Sequence, residues 1–230
     1  MRQISIAALG DSLTKGVVLT ERNRYSVLEQ NFIDIVGRSM EVHIGNYGKF
    51  GCTVDFADRV IERHGDDIAA ADYTLLEYGG NDCDFDWKSI ADSPSGDHRP
   101  KTLLDTFRKQ FHSLIYKVKE IGSRPVIISL PPILSDEYFS FFSRSMNDQQ
   151  KDNVMKWLGG DVGIISRWHE SYNRVLFDIA AETGTRIIDI TSPFNEYEGD
   201  IKTLYCLDGI HPNAHGHRII ADKILNDRLK

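Results

Sequence analysis

Cysteine is scarce in this sequence of 230 residues, and basic residues do not outnumber acidic ones. The three cysteines, Cys52, Cys83 and Cys206, are odd in number and widely spaced, which fits neither a disulfide framework nor paired zinc-binding motifs. The 27 Lys and Arg residues face 34 Asp and Glu residues, which gives a formal net charge of -7, and neither sign gathers into a long run. We therefore expect reduced thiols and no nucleic-acid partner.

Long hydrophobic runs are also missing. The first apolar stretch, residues 4–9, is far too short for a secretory signal or a membrane span, and no later stretch is long enough. These features predict a soluble, cytoplasmic protein without an integral membrane segment. No repeat or linker divides the chain, so we expect a single domain over residues 1–230, and nothing in the sequence indicates an oligomeric state.

Short apolar runs alternate with amphipathic stretches along the whole chain. The runs have the length of strands and are apolar almost throughout, as strands buried on both faces are. They occupy residues 4–9, 41–47, 73–78, 125–130 and 186–190. Apolar residues at helical spacing fill residues 25–40, 54–64, 103–121, 168–183 and 214–229. This alternation predicts an α/β fold, in which five parallel strands form the middle layer of a three-layer α/β/α sandwich.

Residues 131–166 are longer than an ordinary connection between two such elements. We interpret them as an insertion that lies over the carboxyl ends of the strands. Four aromatic residues fall within five positions of it: Tyr138, Phe139, Phe141 and Phe142. They line an acyl-binding site or cover the core, and the sequence does not decide between these two roles.

Polar residues follow the predicted strands at the points where ligands bind in open α/β sheets. Asp11 and Ser12 follow the first strand, and Asn81 follows the third. Asp208 and His211 stand three residues apart before the last predicted helix. Each of these segments, taken alone, is typical of an ordinary turn or helix cap. Together they supply a nucleophile, a base with its orienting acid, and N–H donors, which are the parts of an acyl-transfer site.

With these segments in view, the chain resembles the GDSL, or SGNH, hydrolase family. The four marker blocks of that family contribute Ser, Gly, Asn and His, and residues 10–13, 46–51, 79–82 and 208–211 match them in order. The resemblance implies a flavodoxin-like sheet of order 2-1-3-4-5 and cofactor-free hydrolysis of small-molecule esters or thioesters. Carbohydrate acetylesterases and short-chain, lipase-like esterases are the activities we expect.

The resemblance also assigns roles to single residues. Ser12 is the nucleophile that forms an acyl-enzyme, His211 is the base, and Asp208 orients it. The oxyanion accepts hydrogen bonds from the backbone amide of Ser12, from the side-chain amide of Asn81 and from the backbone amide of a glycine in the second block. We assign that glycine as Gly48, with Gly51 as the alternative.

Asp11 and, if they line the acyl site, the four aromatic residues of the insertion are the candidate substrate contacts.

Two other classes of protein remain as alternatives. Asp82, Asp84 and Asp86 alternate like the start of a calcium loop, which suggests a metal-dependent hydrolase. Trp87 and Ser93 stand where such a loop needs Gly and Glu, so the calcium-loop interpretation fails, and we expect no metal or cofactor. The second alternative is a non-catalytic ligand-binding module on the same fold.

Overall fold

A five-stranded parallel sheet forms the centre of the computed structural model, which describes residues 4–227. The strands in chain order are β1 (Ile6–Gly10), β2 (Val17–Leu19), β3 (Tyr25–Val27), β4 (Ile44–Asn46), β5 (Tyr73–Glu77), β6 (Arg124–Ile128) and β7 (Arg186–Ile188). The helices are α1 (Ser12–Lys15), α2 (Phe32–Met40), α3 (Phe56–Ala69), α4 (Trp87–Asp92), α5 (Leu104–Glu120), α6 (Ser135–Phe142), α7 (Asp148–Trp157), α8 (Ile164–Thr183), α9 (Ser192–Asn195) and α10 (Ala214–Asn226). Short 3₁₀ helices span Ser143–Ser145 and Ile201–Leu204.

The strand order of the sheet is β4-β1-β5-β6-β7. Counted among the sheet strands alone, this order is 2-1-3-4-5, and the predicted α/β fold with its flavodoxin-like sheet is confirmed. Ile6 of β1 lies opposite Ile44 of β4 on one side and Tyr73 of β5 on the other, in parallel register. All carboxyl ends of the sheet strands therefore point to one edge, where the polar segments follow them.

Alternate residues of each central strand pack on opposite faces of the sheet. In β1, Ile6 and Ala8 join an apolar cluster with α2, α9 and α10, whereas Ala7 and Leu9 join a second cluster with α3, α5 and α8. Both faces are thus covered by helices, as the uninterrupted apolar strands predicted. Each fully buried Leu, Ile or Phe side chain contributes roughly 1.5–3 kcal/mol to this core.

The largest difference from the predicted elements lies in residues 17–31. The predicted helix over residues 25–40 begins only at Phe32, because the side chain of Asn31 accepts hydrogen bonds from the amides of Ile33 and Asp34 and caps the helix there. Residues 25–27 instead form β3, which pairs antiparallel with β2. Asn23 in the intervening loop has a positive φ of 53°, a conformation that Asn adopts more readily than most residues.

Other boundaries differ by a few residues. The predicted strand over residues 41–47 is shortened to β4, and the predicted helix over residues 54–64 extends as α3 to Ala69. The predicted last helix, residues 214–229, is present as α10 up to Asn226, and residues 228 and 229 lie outside the described part of the chain.

Residues 131–166 contain α6, a 3₁₀ helix, α7 and the first turn of α8. They pack with α4 in a third apolar cluster, in which Trp87, Val154 and Leu158 are buried. Among residues 4–227, no helix combines the length and the hydropathy that a membrane crossing requires.

Candidate active site

Ser12 sits in a tight turn at the end of β1. Asp11 precedes the short helix α1 and caps it, because its side chain accepts a hydrogen bond from the Leu13 amide at 2.9 Å. The helix ends after four residues at Gly16, whose φ of 82° lies in the left-handed region. A Cβ at Gly16 would also lie 2.5 Å from Cβ of Asn31. The turn therefore needs glycine at this position, and it presents Ser12 at the carboxyl edge of the sheet.

Ser12, His211 and Asp208 form a continuous chain of hydrogen bonds. Nε2 of His211 lies 3.0 Å from Oγ of Ser12, and Nδ1 of His211 lies 2.7 Å from Oδ2 of Asp208. All three side chains are buried, and Asp208 is completely inaccessible to solvent. The amides of His211 and Ile210 donate to Oδ1 of Asp208, so both carboxylate oxygens have partners. The geometry matches that of a nucleophile, a base and an orienting acid.

Asp208 keeps its charge despite its burial. Burial alone would raise the pKa of Asp208, but the hydrogen bond and charge of His211 and the two backbone donors outweigh it, so that the pKa lies below the usual value. An ionised Asp208 accepts the Nδ1–H of His211. The Nε2 lone pair of the neutral imidazole is then directed at Ser12, where a general base is needed.

The two candidate oxyanion glycines differ in their surroundings. The amide of Gly48 donates to Oδ1 of Asn46 at 2.9 Å, and Gly48 does not line the cavity beside Ser12 in the described part of the chain. Gly51 does line it, and its φ of 75° is one that other residues rarely adopt. Between residues 4 and 227, the amides of Ser12 and Gly51 find no hydrogen-bond acceptor. The geometry thus disfavours the assignment of Gly48, because its donor is already used, and favours Gly51.

Asn81 and Asp11 are linked beside the nucleophile. Nδ2 of Asn81 donates to Oδ2 of Asp11 at 2.9 Å, which occupies one of its two amide hydrogens. The other oxygen of Asp11, Oδ1, accepts the hydrogen bond from the Leu13 amide that caps α1. Both oxygens of Asp11 are engaged inside the protein, where Asp11 positions Asn81. Asp11 also lines the cavity beside Ser12, so its predicted substrate contact stays a prediction.

Glu77, at the end of β5, lies behind this pair and was not identified from the sequence. It accepts a hydrogen bond from Oγ1 of Thr14 at 2.9 Å. Burial, with the charge of Asp11 adding to it, raises the pKa of Glu77 well above its usual value, and burial also raises the pKa of Asp11. Two buried carboxyl groups side by side disfavour carrying two negative charges at once. The signal in the sequence is an acidic residue inside an otherwise apolar strand.

A cavity of about 600 Å³ opens beside Ser12 and His211. Its mouth is flanked by Tyr25, whose ring centroid lies 5.3 Å from that of His211, and by Phe50 at 6.1 Å. Tyr25 comes from the β2–β3 hairpin, so the sequence analysis missed it together with that hairpin. Burial, reinforced by the charge of Asp208, raises the pKa of Tyr25 and keeps its hydroxyl neutral.

The insertion and α8 form the rest of the cavity wall. Three of the four predicted aromatic residues, Tyr138, Phe141 and Phe142, line the cavity. Phe139 does not, because it points into the third apolar cluster and its ring centroid lies 5.5 Å from that of Phe142. Its predicted substrate contact is therefore not supported. The wall also includes residues that no motif in the sequence marks, among them Phe85, Trp157, Ile165 and His169.

The three aspartates after β5 do not converge on one point. Each accepts hydrogen bonds from a different group: Asp82 from the Val54 amide, Asp84 from the Tyr138 hydroxyl and Asp86 from the Ser89 amide. Within residues 4–227, no group of three or more His, Cys, Asp or Glu side chains has the arrangement of a metal site. The geometry therefore does not favour the metal-dependent alternative.

The comparison with known families decides the class of the protein. Residues 8–219 match the model of the GDSL-like lipase/acylhydrolase family. The chain belongs to this family. It is a carboxylic ester hydrolase, and its substrates are small-molecule esters. The four blocks recognised in the sequence all fall within the matched region.

Three relatives illustrate the similarity. The uncharacterized protein YpmR of Bacillus subtilis (strain 168) is 22% identical in an alignment of 230 positions that covers 96% of this chain and 80% of that protein. A lipase/acylhydrolase from Enterococcus faecalis is 18% identical with a TM-score of 0.66, over 97% of this chain and 94% of that one. Axe2, an acetylxylan esterase from Geobacillus stearothermophilus, is 22% identical with a TM-score of 0.61, over 99% and 96%. At these identities the solved structures establish a shared fold.

Proposed function

We propose that this GDSL hydrolase cleaves esters through a covalent acyl-enzyme on Ser12. Oγ of Ser12 attacks the acyl carbon while Nε2 of His211 takes the hydroxyl proton. The tetrahedral intermediate then expels the alcohol, which receives that proton from His211. Water, activated by the same imidazole, attacks the acyl-enzyme, and the carboxylic acid leaves as Ser12 recovers its proton.

The observation that carries this proposal is the 3.0 Å hydrogen bond from Ser12 to His211. The other ring nitrogen of His211 is hydrogen-bonded to the buried carboxylate of Asp208. A hydroxyl at this distance from a neutral imidazole nitrogen is within reach for proton transfer. The buried carboxylate stabilises the imidazolium that forms when His211 accepts the proton.

Three N–H groups around Ser12 are the proposed oxyanion donors. They are the amides of Ser12 and Gly51 and the second amide hydrogen of Asn81. Donors that are already in place need no reorganisation as negative charge develops on the carbonyl oxygen, which is why such groups lower the barrier. Gly51 replaces Gly48 in this proposal because the amide of Gly48 is bound to Asn46.

The shape of the cavity bears on the acyl group. A cavity of about 600 Å³ has the size of sites that take drug-sized ligands, much more than an acetyl group needs. Its wall is largely aromatic and aliphatic. We therefore place this chain among short-chain, lipase-like esterases in preference to carbohydrate acetylesterases, although the acetylxylan esterase shares the fold.

Replacement of the nucleophile tests the proposed chemistry. In Ser12→Ala, turnover of p-nitrophenyl acetate should fall by about 10⁴-fold or more, as nucleophile losses do in serine hydrolases. Ser26→Ala, at an exposed position of β3, is the matched control and should keep wild-type kcat/KM. Steady-state turnover by Ser12→Ala at the wild-type rate would assign the nucleophile to another residue.

A further inference from the structure

His169 is a buried histidine that takes no part in the proposed mechanism. It belongs to α8, one turn after Ile165, and both residues line the cavity that begins at Ser12. Only 5% of His169 is exposed, and its ring nitrogens have no hydrogen-bond partner among residues 4–227. Nε2 of His217 is an unpartnered atom that is fully shielded from solvent. Neither ring nitrogen of His169 is among the described atoms of that kind. His169 thus lines the cavity with two ring nitrogens that no described protein group uses.

Asp84 and Trp168, two polar residues of this part of the wall, already have hydrogen-bond partners. Asp84 accepts hydrogen bonds from Trp87, Tyr138 and Lys101 at 3.0, 2.8 and 3.0 Å. Nε1 of Trp168 donates to a backbone carbonyl at 3.0 Å. His169, in contrast, adds one unused donor and one unused acceptor to this wall.

Burial keeps the imidazole of His169 uncharged. It lowers the pKa of His169 to about 4, so the ring is neutral at physiological pH. A neutral imidazole offers one N–H donor and one acceptor nitrogen. A buried polar side chain without a partner is unfavourable, and a ligand that supplies the partner removes that cost.

We propose that His169 is a specificity-determining residue at the polar end of the acyl pocket. It selects esters whose acyl group is apolar next to the carbonyl and carries a hydroxyl or keto oxygen further along. This inference rests on the proposed function of Ser12. Against the apolar wall between Ser12 and His169, the hydroxyls of a sugar leaving group would have no hydrogen-bond partners. The same wall suits a hydrocarbon segment that ends in one oxygen.

The ring-lined wall also fits a flat acyl group. Trp87 and Phe142 stack with their ring centroids 4.6 Å apart and an angle of 10° between the ring planes. An aryl ring on the acyl chain would pack against such a surface in an offset or edge-on arrangement. Hydroxyphenyl-substituted and keto-substituted acyl groups therefore belong to the same predicted substrate class.

The test compares matched esters with one common leaving group. The first pair is the p-nitrophenyl esters of phenylpropanoic acid and of its para-hydroxyl analogue. The second is those of octanoic acid and of a keto acid of the same chain length. For each pair, the ratio of kcat/KM for the oxygenated ester to that for the plain ester is measured in the wild type, His169→Phe and His169→Gln.

The wild type should favour the oxygenated member of at least one pair. In His169→Phe that ratio should fall by on the order of tenfold, because the hydrogen bond is lost and an apolar surface replaces it. His169→Gln retains a donor and an acceptor and should keep part of the preference. His215→Phe, at an exposed histidine, is the matched control and should leave both ratios unchanged.

Two outcomes overturn the proposal. One is an unchanged ratio in His169→Phe for both pairs, and the other is a wild-type preference for the plain ester in both. If His169→Phe does not fold, the wild-type ratios and those of His169→Gln decide. Turnover of p-nitrophenyl acetate distinguishes a failure of the Ser12 mechanism from a failure of the His169 proposal, because an acetyl group has no oxygen beyond its carbonyl that could reach His169. Wild-type acetate turnover that survives in Ser12→Ala would overturn the Ser12 mechanism itself. Acetate turnover that is lost in Ser12→Ala, together with unchanged ratios in His169→Phe, overturns only the role of His169.

Discussion

Asn81 is the proposed side-chain donor to the oxyanion, and a neighbouring carboxylate fixes its orientation. Its hydrogen bond to Asp11 fixes the amide plane and leaves one N–H for the reaction. Asp11 is held in turn by the Leu13 amide, and Glu77, whose pKa burial raises well above its usual value, lies behind it. A donor fixed in this way stabilises charge in the transition state more than it binds the substrate.

Asn81→Ala should therefore lower kcat by roughly 10²–10³-fold with a smaller effect on KM, as the loss of an oxyanion donor does elsewhere. Steady-state kinetics with p-nitrophenyl acetate measure both constants. Asn226→Ala, at an exposed position near the end of α10, is the control and should leave them unchanged. A rise in KM at constant kcat would instead show that Asn81 binds the ground state of the substrate.

Helix α6 is the element that brings the insertion to the cavity, and its aromatic side chains divide between two surfaces. Phe141 lines the cavity, and the guanidinium of Arg144 lies 3.8 Å from its ring centroid. Phe139 is partly buried in the third apolar cluster and does not reach the cavity. The two residues form a matched pair, because the same substitution tests the wall at one position and the packing at the other.

Phe141→Ala should flatten the dependence of kcat/KM on acyl chain length. Each methylene that no longer packs against the ring loses up to about 0.8 kcal/mol, or about fourfold in kcat/KM. Phe139→Ala should lower thermal stability but keep the wild-type profile. A series of p-nitrophenyl esters of increasing length measures both, and superimposable profiles for the wild type and Phe141→Ala would refute a role for α6 in the acyl pocket.

The sequence predicted the elements whose pattern is regular and whose burial is complete. The five sheet strands were recognised because their apolar runs are buried on both faces, and the blocks around Ser12, Asn81 and His211 could be placed at one edge of that sheet. The β2–β3 hairpin was missed because its second strand is three residues long and exposed, so that no core pattern marks it. Periodicity alone does not detect such a strand.

The sequence could not predict which backbone amides of the site are free or which side chains face the cavity, because both depend on the path of the backbone. Gly48 and Gly51 are both plausible in the second block, and only the hydrogen bond from Gly48 to Asn46 distinguishes their amides. Phe139 and Phe141 are equally apolar, but two positions on a helix place side chains about 200° apart, so only one of them faces the cavity. His169 reads as a core residue in an amphipathic helix, and the cavity beside it follows from tertiary packing.

The stability of the whole molecule should depend on pH through Asp82. This carboxyl is inaccessible to solvent, and burial raises its pKa to about 7. Below about pH 4 the group is protonated in both the folded and the unfolded chain. Between about pH 4 and pH 7 the folded state binds more protons, so the contribution of Asp82 to the free energy of unfolding falls as the pH rises.

Asp82→Asn should remove this contribution. Between pH 5 and pH 8, in measurements of urea unfolding, the wild type should lose up to about 3 kcal/mol relative to Asp82→Asn. The difference between the two proteins isolates Asp82 from the buried His169 and His217, whose lowered pKa values act in the opposite direction. Parallel pH profiles for the two proteins would show that Asp82 is ionised in the folded chain across this range.

The acyl-enzyme on Ser12 is the central claim, and mass spectrometry of the protein labelled with a fluorophosphonate tests it most directly. The account predicts one phosphonyl group per chain, located on Ser12 by peptide mapping. Labelling should be much slower in His211→Ala, because the hydroxyl then has no base. A modified residue other than Ser12, or an unmodified protein that still hydrolyses p-nitrophenyl acetate after the treatment, would contradict the account.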